Sequence, residues 1–479
     1  MTSNQLPSAS GVRIAGDNYQ WLHAWRCCME ALHDDLTGNN SNAIIAVGVE
    51  EPGVGNGDDV VLHRAQPPHT YMQVKYAVDH RTAINLDYLD QSGVLRKMVK
   101  TYADLTNAGT PAQMRLVTNR TIDPNDLLVT DRDARDGRLL PRAAQGGPKS
   151  DRGKARAEWA EKADTDEAGL LTFLANFHLD VAYDIDRLRR ETSLLMTANG
   201  LRSDDAALTL GAGWIERQVI AGHRRITLDV IKNAVASLEL QAGSPWTTVS
   251  VATIKHDELA DQAAVSIDWV DRIDGTTDWT RVAPLPPHTW DDLAADIRTI
   301  TGQLNGDKRI LITGHLRQAT GFFVGTELRR VLGYEVGIRQ GEQLWTGETP
   351  TTSDAITVTE HHAESGPDTA IIVNVAADAA DVAADWIRSA ALPVNKILTV
   401  QPSADTGAKA IPTPSYANSV ATAIRDLARR HVKGDIHLFL IGPLGLAVLL
   451  GHHWNRVTTT HVYEHLGGTE YTAAFAVDA

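Results

Sequence analysis

The polar residues with the most chemical content in the first part of the chain are Glu50, Asp58, Asp59, Gln73 and Lys75. Asp59 opens a short apolar run, DDVVLHR, and Gln73-Val74-Lys75 lies inside the next one, TYMQVKYAV. Side chains alternate along a strand, so Gln73 and Lys75 share a face, and a hairpin between the two runs brings Asp59 near that face. One carboxylate, one neutral oxygen donor and one ammonium in that arrangement suit a hard cation such as Mg²⁺. A cation there would activate a water and stabilise a pentavalent phosphate, with Lys75 positioning the nucleophile or holding the scissile phosphate. The acidic doublet leaves the register open, so Asp58 is the alternative to Asp59. Surface charges on a hairpin are the bland reading of the same residues.

A second group lies toward the other end. The strand RILITG leads through His315, Leu316, Arg317, Gln318, Ala319 and Thr320 into a helix. Parallel α/β sheets bind ligands outside the carboxyl ends of their strands. There Arg317 can pair with a phosphate, Gln318 and Thr320 offer polar contacts, and the helix N-terminus favours an anion. Trp345 is a candidate base-stacking ring, its alternative being a core residue as for Phe322 and Phe323. Asn374-Val375-Ala376 and Gly442-Pro443 end two further strands, the glycine allowing close backbone approach. The pairs His361-His362 and His452-His453 have metal-ligand chemistry, but adjacent histidines diverge on either a helix or a strand. Cys27-Cys28 fits helix packing.

These residues need particular elements to hold them. YQWLHAWRCCMEALHDDL reads as a helix, with Trp21, Leu22, Trp25, Cys28, Met29 and Leu32 at helical spacing. AIIAVGVE, DDVVLHR and TYMQVKYAV read as strands, the last two joined by AQPPH. Leu86–Leu105 reads as one helix and MRLVTNR as another strand. Between Asp131 and Lys162, Arg132, Arg135, Arg138, Arg142, Lys149, Arg152, Lys154 and Arg156 interleave with aspartates in a Gly/Pro-containing stretch. Its two readings are a solvated loop and a phosphate-contacting arm for DNA. Residues 166–240 read as helical, RITLDVIKNAVASLEL being the last helix, with Thr227 a plausible N-cap. Beyond a linker at 241–261, strand–loop–helix units recur at RILITG…, TAIIVN… and DIHLFLIG…, implying parallel, Rossmann-like sheets and hinting at two halves of related topology.

The 479 residues bound the answer: roughly two to four domains. Apolar residues at 43% and charged residues at 22% are ordinary for a globular α/β protein. A net charge of −15 excludes a globally basic nucleic-acid binder while allowing a local basic patch. Two cysteines cannot build a disulfide framework. MTSNQLPSASGVRIAGDNY lacks the apolar segment of a secretory leader, and Ile436–Leu450 is too short and broken to span a bilayer. A cytoplasmic location with no membrane partner is expected. No nucleotide-binding glycine loop or nucleophile elbow is present.

GDNYQWLHAWRCCMEAL, Glu50, DDVV and QVK together resemble the Mrr-like branch of PD-(D/E)XK nucleases in its QxK variant, over residues 11–240 with the motifs in 16–75. The resemblance implies a restriction-endonuclease-like α/β core with a helical extension. It also implies catalytic positions at Glu50, Asp59, Gln73 and Lys75, with Glu50, Asp59 and Gln73 holding Mg²⁺ or Mn²⁺. Gln73 departs from the relatives that carry Glu, leaving one less negative charge at the metal. From 262 to 479, SIDWVDRIDG, the helix led by Trp290, LITGHLRQATGFFVGTELRRVLGYEVGIRQGEQLW and DIHLFLIGPLGLAVLLGHHWNRVTTTHVYEH resemble a SAVED domain, built like two fused CARF units. The combination resembles the CD-NTase-associated protein 4 family of CBASS anti-phage effectors. It implies a cyclic tri- or tetranucleotide activator made by a cognate CD-NTase, a ligand-induced homo-oligomer and a double-stranded DNA substrate. The expected domains are 1–240, a nuclease, and 262–479, a sensor. The expected ligand residues are Arg317, Gln318, Thr320, Trp345, Gly442 and Pro443.

Two rival readings remain: a catalytically inactive DNA-binding module joined to a SAVED scaffold, and a stand-alone restriction endonuclease. The intact Glu50, Asp59, Gln73 and Lys75 weigh against the first, and the acidic balance with no basic recognition helix in the C-terminal part weighs against the second. No helix presents a run of Arg, Asn and Gln for base-edge readout, so cleavage of little sequence specificity is expected.

Overall fold

Trp21, Leu22, Trp25, Cys28, Met29 and Leu32 are all buried on one helix, Ala9–Thr37, which starts well before the first apolar residue of the pattern. The structure is a computed structural model that describes residues 9–38, 42–55, 57–79, 81–133, 135–140, 142–363, 366–377, 379–403, 406–407 and 409–478. The first eight residues of the stretch read above for a secretory leader lie outside the described residues. The chain divides into two units, Met1–Pro245 and Trp246–Ala479.

In the first unit β1 (Ile44–Val49), β2 (Val60–Arg64), β3 (His69–Lys75), β4 (Ala112–Thr118), β5 (Phe177–Asp180) and β6 (Arg225–Thr227) form one sheet, ordered β5-β4-β3-β2-β1-β6. β3, β4 and β5 are parallel; β2, β1 and β6 join antiparallel. On one face the helices Val94–Asn107, Asp151–Ala163 and Glu167–Leu174 bury Met98, Trp159 and Phe173 against Tyr71, Met114, Leu116 and Leu179. The helix Ala9–Thr37 packs against β1 and β2 and against the helices Ile185–Ala198 and Asp205–Ile220. Its His23 ring reaches Met72 Sδ at 3.4 Å.

Three expectations change here. The single helix over Leu86–Leu105 is two, Leu86–Gln91 and Val94–Asn107, because Gly93 takes φ 65° between them. The segment read as wholly helical holds β5 and β6, four and three residues long; strands that short carry no usable alternation. The helix Asp151–Ala163 starts inside the stretch expected as a loop, where the Ser150 side chain accepts from Gly153 N–H.

In the second unit β7 (Thr247–Ala252), β8 (Val265–Asp268), β9 (Arg309–Thr313), β10 (Glu335–Gln340) and β11 (Gln343–Thr346) order as β11-β10-β9-β7-β8. β12 (Ile356–His362), β13 (Asp368–Asn374), β14 (Val394–Pro402), β15 (Ile436–Ile441), β16 (Thr460–Gly467) and β17 (Glu470–Val477) order as β12-β14-β13-β15-β16-β17. Both sheets are parallel inside, with antiparallel strands β11, β12 and β17 at edges. The stretch expected as linker at 241–261 contains β7, a central strand: TTVSVA is buried on both faces, as parallel strands are. One apolar core runs through both sheets and the helices Gln318–Glu327 and Leu444–His453. The apolar stretch Ile436–Leu450 is β15 and that last helix, divided at Gly442-Pro443. No helix among the described residues is long and apolar enough to cross a membrane.

The two helices approach so closely that a Cβ on Gly451 would lie 2.0 Å from Phe322 O, and one on Gly325 2.3 Å from Val448 O. Gly451→Ala is therefore expected to destabilise the chain by about 1–3 kcal/mol through overpacking. Gly302→Ala, in open space within a helix, should be neutral or slightly stabilising. Urea unfolding midpoints of the two variants check this.

Candidate functional site

Val60 pairs with Met72 across the β2–β3 hairpin, which sets Asp59 against Gln73. The Asp59 carboxylate accepts from Val74 N–H at 2.7 Å and from the Gln73 side-chain amide. Lys75 Nζ stands 4.0 Å from the same oxygen. Burial raises the Asp59 pKa above the usual carboxylate value, opposed first by the Lys75 ammonium. Gln73 is 2% exposed and its Oε1 has no partner. The structure thus brings together Asp59, Gln73 and Lys75, with Asp59 of the acidic doublet making the contacts; Asp58 acts on it only as a nearby charge.

Glu50 reaches the same end of the sheet by its backbone, whose N–H donates to Asp59 O at 3.3 Å. Its φ of 47° turns the chain there, and its carboxylate is paired with Arg224 at 2.5 Å. Among the described residues no three His, Cys, Asp or Glu side chains gather as a metal-binding group. What the hairpin does offer a cation is the Asp59 carboxylate and the bare Gln73 oxygen. That donor set is all oxygen and small, and fits a hard ion that keeps most of its ligands as water and phosphate oxygens.

The basic stretch is pinned rather than loose. Arg156 is buried, donating to Glu167 Oε1 at 2.7 Å and to the Ala143, Gln145 and Gly146 carbonyls. Arg152 is half-buried and paired with Asp131, and Arg132 is half-buried. Arg135, Arg138, Arg142 and Lys149 remain exposed, Arg138 beside Asp136 at 3.1 Å. Cys27 and Cys28 are buried, and burial pushes the Cys27 thiol up to about 12, so neither is a nucleophile.

In the second unit β9 ends at Gly314, where φ is 96° and a Cβ would lie 2.1 Å from Val251 O. Arg317 then takes the N-cap of the helix Gln318–Glu327, as Pro443 does for Leu444–His453. The Gln318 amide bridges the two loops: Oε1 accepts from Gly442 N–H at 3.1 Å, and Nε2 donates to Gly442 O. Gln318, Gly442 and Pro443 therefore stand together at the carboxyl ends of β9 and β15.

Three other candidate ligand residues lie in different surroundings. The Arg317 guanidinium donates to the carbonyls of Arg281 at 2.8 Å, Asp278 at 3.0 Å and Trp279 at 3.3 Å, so it ties down a neighbouring turn. Trp345 is 3% exposed and packs over Gly445, because β11 folds back on β10 and turns the indole into the core. Thr320 is fully buried with its hydroxyl unpartnered. His361 and His362 alternate along the exposed edge strand β12. His452 and His453 are buried, one ring facing Leu328 O at 2.5 Å and the other Asn418 Oδ1 at 2.6 Å.

Sequence reasoning missed Glu464. It is buried on β16, and its Oε2 accepts from Ala319 N–H at 3.0 Å. The anion position at that helix N-terminus is thus filled from within. Burial pushes the Glu464 carboxyl up to about 7, with Ala319 N–H and the Arg317 charge holding it down. A lone acid in the run HVYEH was the available signal.

Residues 293–477 match the family model for SAVED, the SMODS-associated and fused to various effectors sensor domain, so the C-terminal part carries a SAVED domain. No curated protein matches the chain at a significant level. Among solved structures it is similar to the Acinetobacter baumannii Cap4 SAVED/CARF-domain containing receptor with the cyclic trinucleotide 2'3'3'-cAAA (14% identity, 99% of each chain covered, TM-score 0.41). It is also similar to the Moraxella osloensis Cap4 SAVED/CARF-domain containing receptor (14% identity, 97% of this chain and 99% of that chain, TM-score 0.40).

A carboxyl whose folded pKa lies above its unfolded value favours the fold when protonated, and that contribution is lost as pH rises from about 4.5 toward about 7. Glu464→Gln should therefore flatten the decline of thermal stability over that window and raise the melting temperature at pH 8. Melting curves of both proteins between pH 4 and pH 8 test it.

Proposed function

We propose that the chain is a CBASS-type anti-phage effector: a cyclic-oligonucleotide-activated, metal-dependent endonuclease acting on double-stranded DNA with little sequence preference. The observation that carries this reading is the convergence of Asp59, Gln73 and Lys75 at one strand end, in a chain that also carries a SAVED domain. Met1–Pro245 is the Mrr-like nuclease unit and Trp246–Ala479 the sensor.

Asp59 and Gln73 Oε1 would hold Mg²⁺ or Mn²⁺, with Glu50 joining when it leaves Arg224. A bound divalent ion would lower the pKa of its water and offset charge on the phosphorane. Lys75, held near Asp59, contacts the scissile phosphate or orients the attacking water. Burial of Gln73 and half-burial of Asp59 keep these groups fixed and strengthen their electrostatics. Arg135, Arg138, Arg142 and Lys149 contact phosphates, which position DNA without reading it. In the sensor, the ligand sits at the Gln318 and Gly442-Pro443 loops, and its differential affinity for an assembled state supplies activation. Assembly as a cytoplasmic homo-oligomer belongs to the same reading. The Glu50–Arg224 pair favours one rival, an inactive DNA-binding unit, because it withholds a carboxylate from the metal.

Plasmid incubated with Mg²⁺, with and without cyclic oligonucleotides, separates the two. The cyclic tri-adenylate named for the Acinetobacter baumannii receptor is the first probe. Lys75→Ala and Asp59→Asn should each reduce ligand-dependent cleavage by roughly 10²–10³-fold, with cyclic-oligonucleotide affinity by calorimetry unchanged. Full cleavage by Lys75→Ala removes the site. Replacing Arg135, Arg138, Arg142 and Lys149 together with Gln should weaken DNA binding across sequences. For every phosphate that is no longer neutralised, the slope of log K against log salt should fall by about 0.9, read from binding at several salt concentrations.

A further inference from the structure

Trp279 is 88% exposed, and it is the one exposed Phe, Tyr or Trp side chain among the described residues. A bare indole is costly in water, and the turn that presents it is built rather than slack. Thr280 Oγ1 accepts from the N–H groups of Thr276 at 3.1 Å and Thr277 at 3.0 Å. Arg281 Nη1 donates to Ile254 O at 2.9 Å. Arg317 donates to the carbonyls of Asp278, Trp279 and Arg281. Since Arg317 is the N-cap of the helix that follows β9, the turn is anchored to the strand end where a parallel sheet receives its ligand.

We propose that the Trp279 indole is the base-stacking surface of the ligand site at the Gln318 and Gly442-Pro443 loops, and that Arg317 is the positioning residue that holds it there. The inference rests on the sensor reading of this unit. It assigns the ligand a nucleobase at the mouth of the site, and it gives the guanidinium a structural task in place of direct phosphate pairing. Phe322, Phe323 and Phe439, the aromatic residues near these loops in sequence, are buried, as is Trp345. The indole therefore supplies the π face, and stacking tolerates any base because each has one.

The test uses the full chain with cyclic tri-adenylate as probe and AMP as the mononucleotide comparison. Calorimetry on the wild type comes first, and absence of binding by every cyclic oligonucleotide tried overturns the sensor reading and this inference with it. With binding established, Trp279→Ala should weaken affinity by about 10- to 100-fold, with melting temperature unchanged. Trp279→Phe should recover most of the affinity, since a ring remains. Ligand should quench part of the wild-type tryptophan emission, and that part should be missing in Trp279→Phe. Arg317→Lys, which keeps the charge but cannot span three carbonyls, should weaken affinity as Trp279→Ala does. Unchanged affinity in Trp279→Ala overturns the proposal while leaving the sensor reading intact. Unchanged affinity with loss of ligand-dependent assembly also overturns it and makes the ring a contact between copies.

Discussion

The close approach of the helices Gln318–Glu327 and Leu444–His453 is the constraint on which the C-terminal unit depends. Gly325 and Gly451 leave no room for a Cβ between them, so backbone meets backbone where side chains would hold the helices apart, and Gly321 makes room for the Leu444 side chain. Each helix follows the carboxyl end of a parallel strand, one from each sheet. Fixing the helices against one another therefore fixes the two loops that precede them, and Gln318 can reach across to both polar groups of Gly442. A wider spacing would break both hydrogen bonds of this half-buried amide. Packing and polar satisfaction thus point to one geometry.

That geometry makes an anion site and then fills it. The first turn of the helix Gln318–Glu327 carries unpaired N–H groups with a partial positive charge. Glu464 comes from β16 to accept from one of them, and its burial makes the ionised form expensive enough that it titrates near neutrality. Arg317, the nearest cation, is spent on three carbonyls. The helix therefore ends on a buried carboxyl and not on bare N–H groups.

How much of this was legible depended on the range of the interaction involved. The helix led by Tyr19, the β2–β3 hairpin and the three strand–loop–helix units were readable because each is a local apolar period. The pairing of Asp59 with Gln73 followed from the same alternation. β5 and β6 were not readable, since each owes its existence to a neighbouring strand already in the sheet. β7 was hidden because TTVSVA is a short apolar run just after the Gly-Ser-Pro of QAGSPW, a composition that reads as a linker. Trp345 was read as a stacking or core ring and Trp279 was not singled out for a similar reason: nothing within a few residues distinguishes an indole that folds under β11 from one whose turn a distant arginine holds in solvent.

Gln73 and Thr320 show why an unpaired buried atom needs its surroundings before it becomes an argument. Both leave a polar oxygen buried without a partner. Thr320 lies inside a helix whose neighbours are apolar, and its hydroxyl is a local imperfection in a packed core. Gln73 differs because its nitrogen is committed. The amide donates to Asp59, and that fixes the carbonyl oxygen opposite, beside a carboxylate that is itself flanked by Lys75. Rotating the side chain to satisfy the oxygen would release the Asp59 contact and set two acceptors against each other. A Glu at position 73 would place a second negative charge against Asp59, raising that carboxyl's pKa further or demanding a tightly held cation. The neutral amide relaxes that demand, and its donation to Asp59 holds the carbonyl oxygen in place beside that carboxylate.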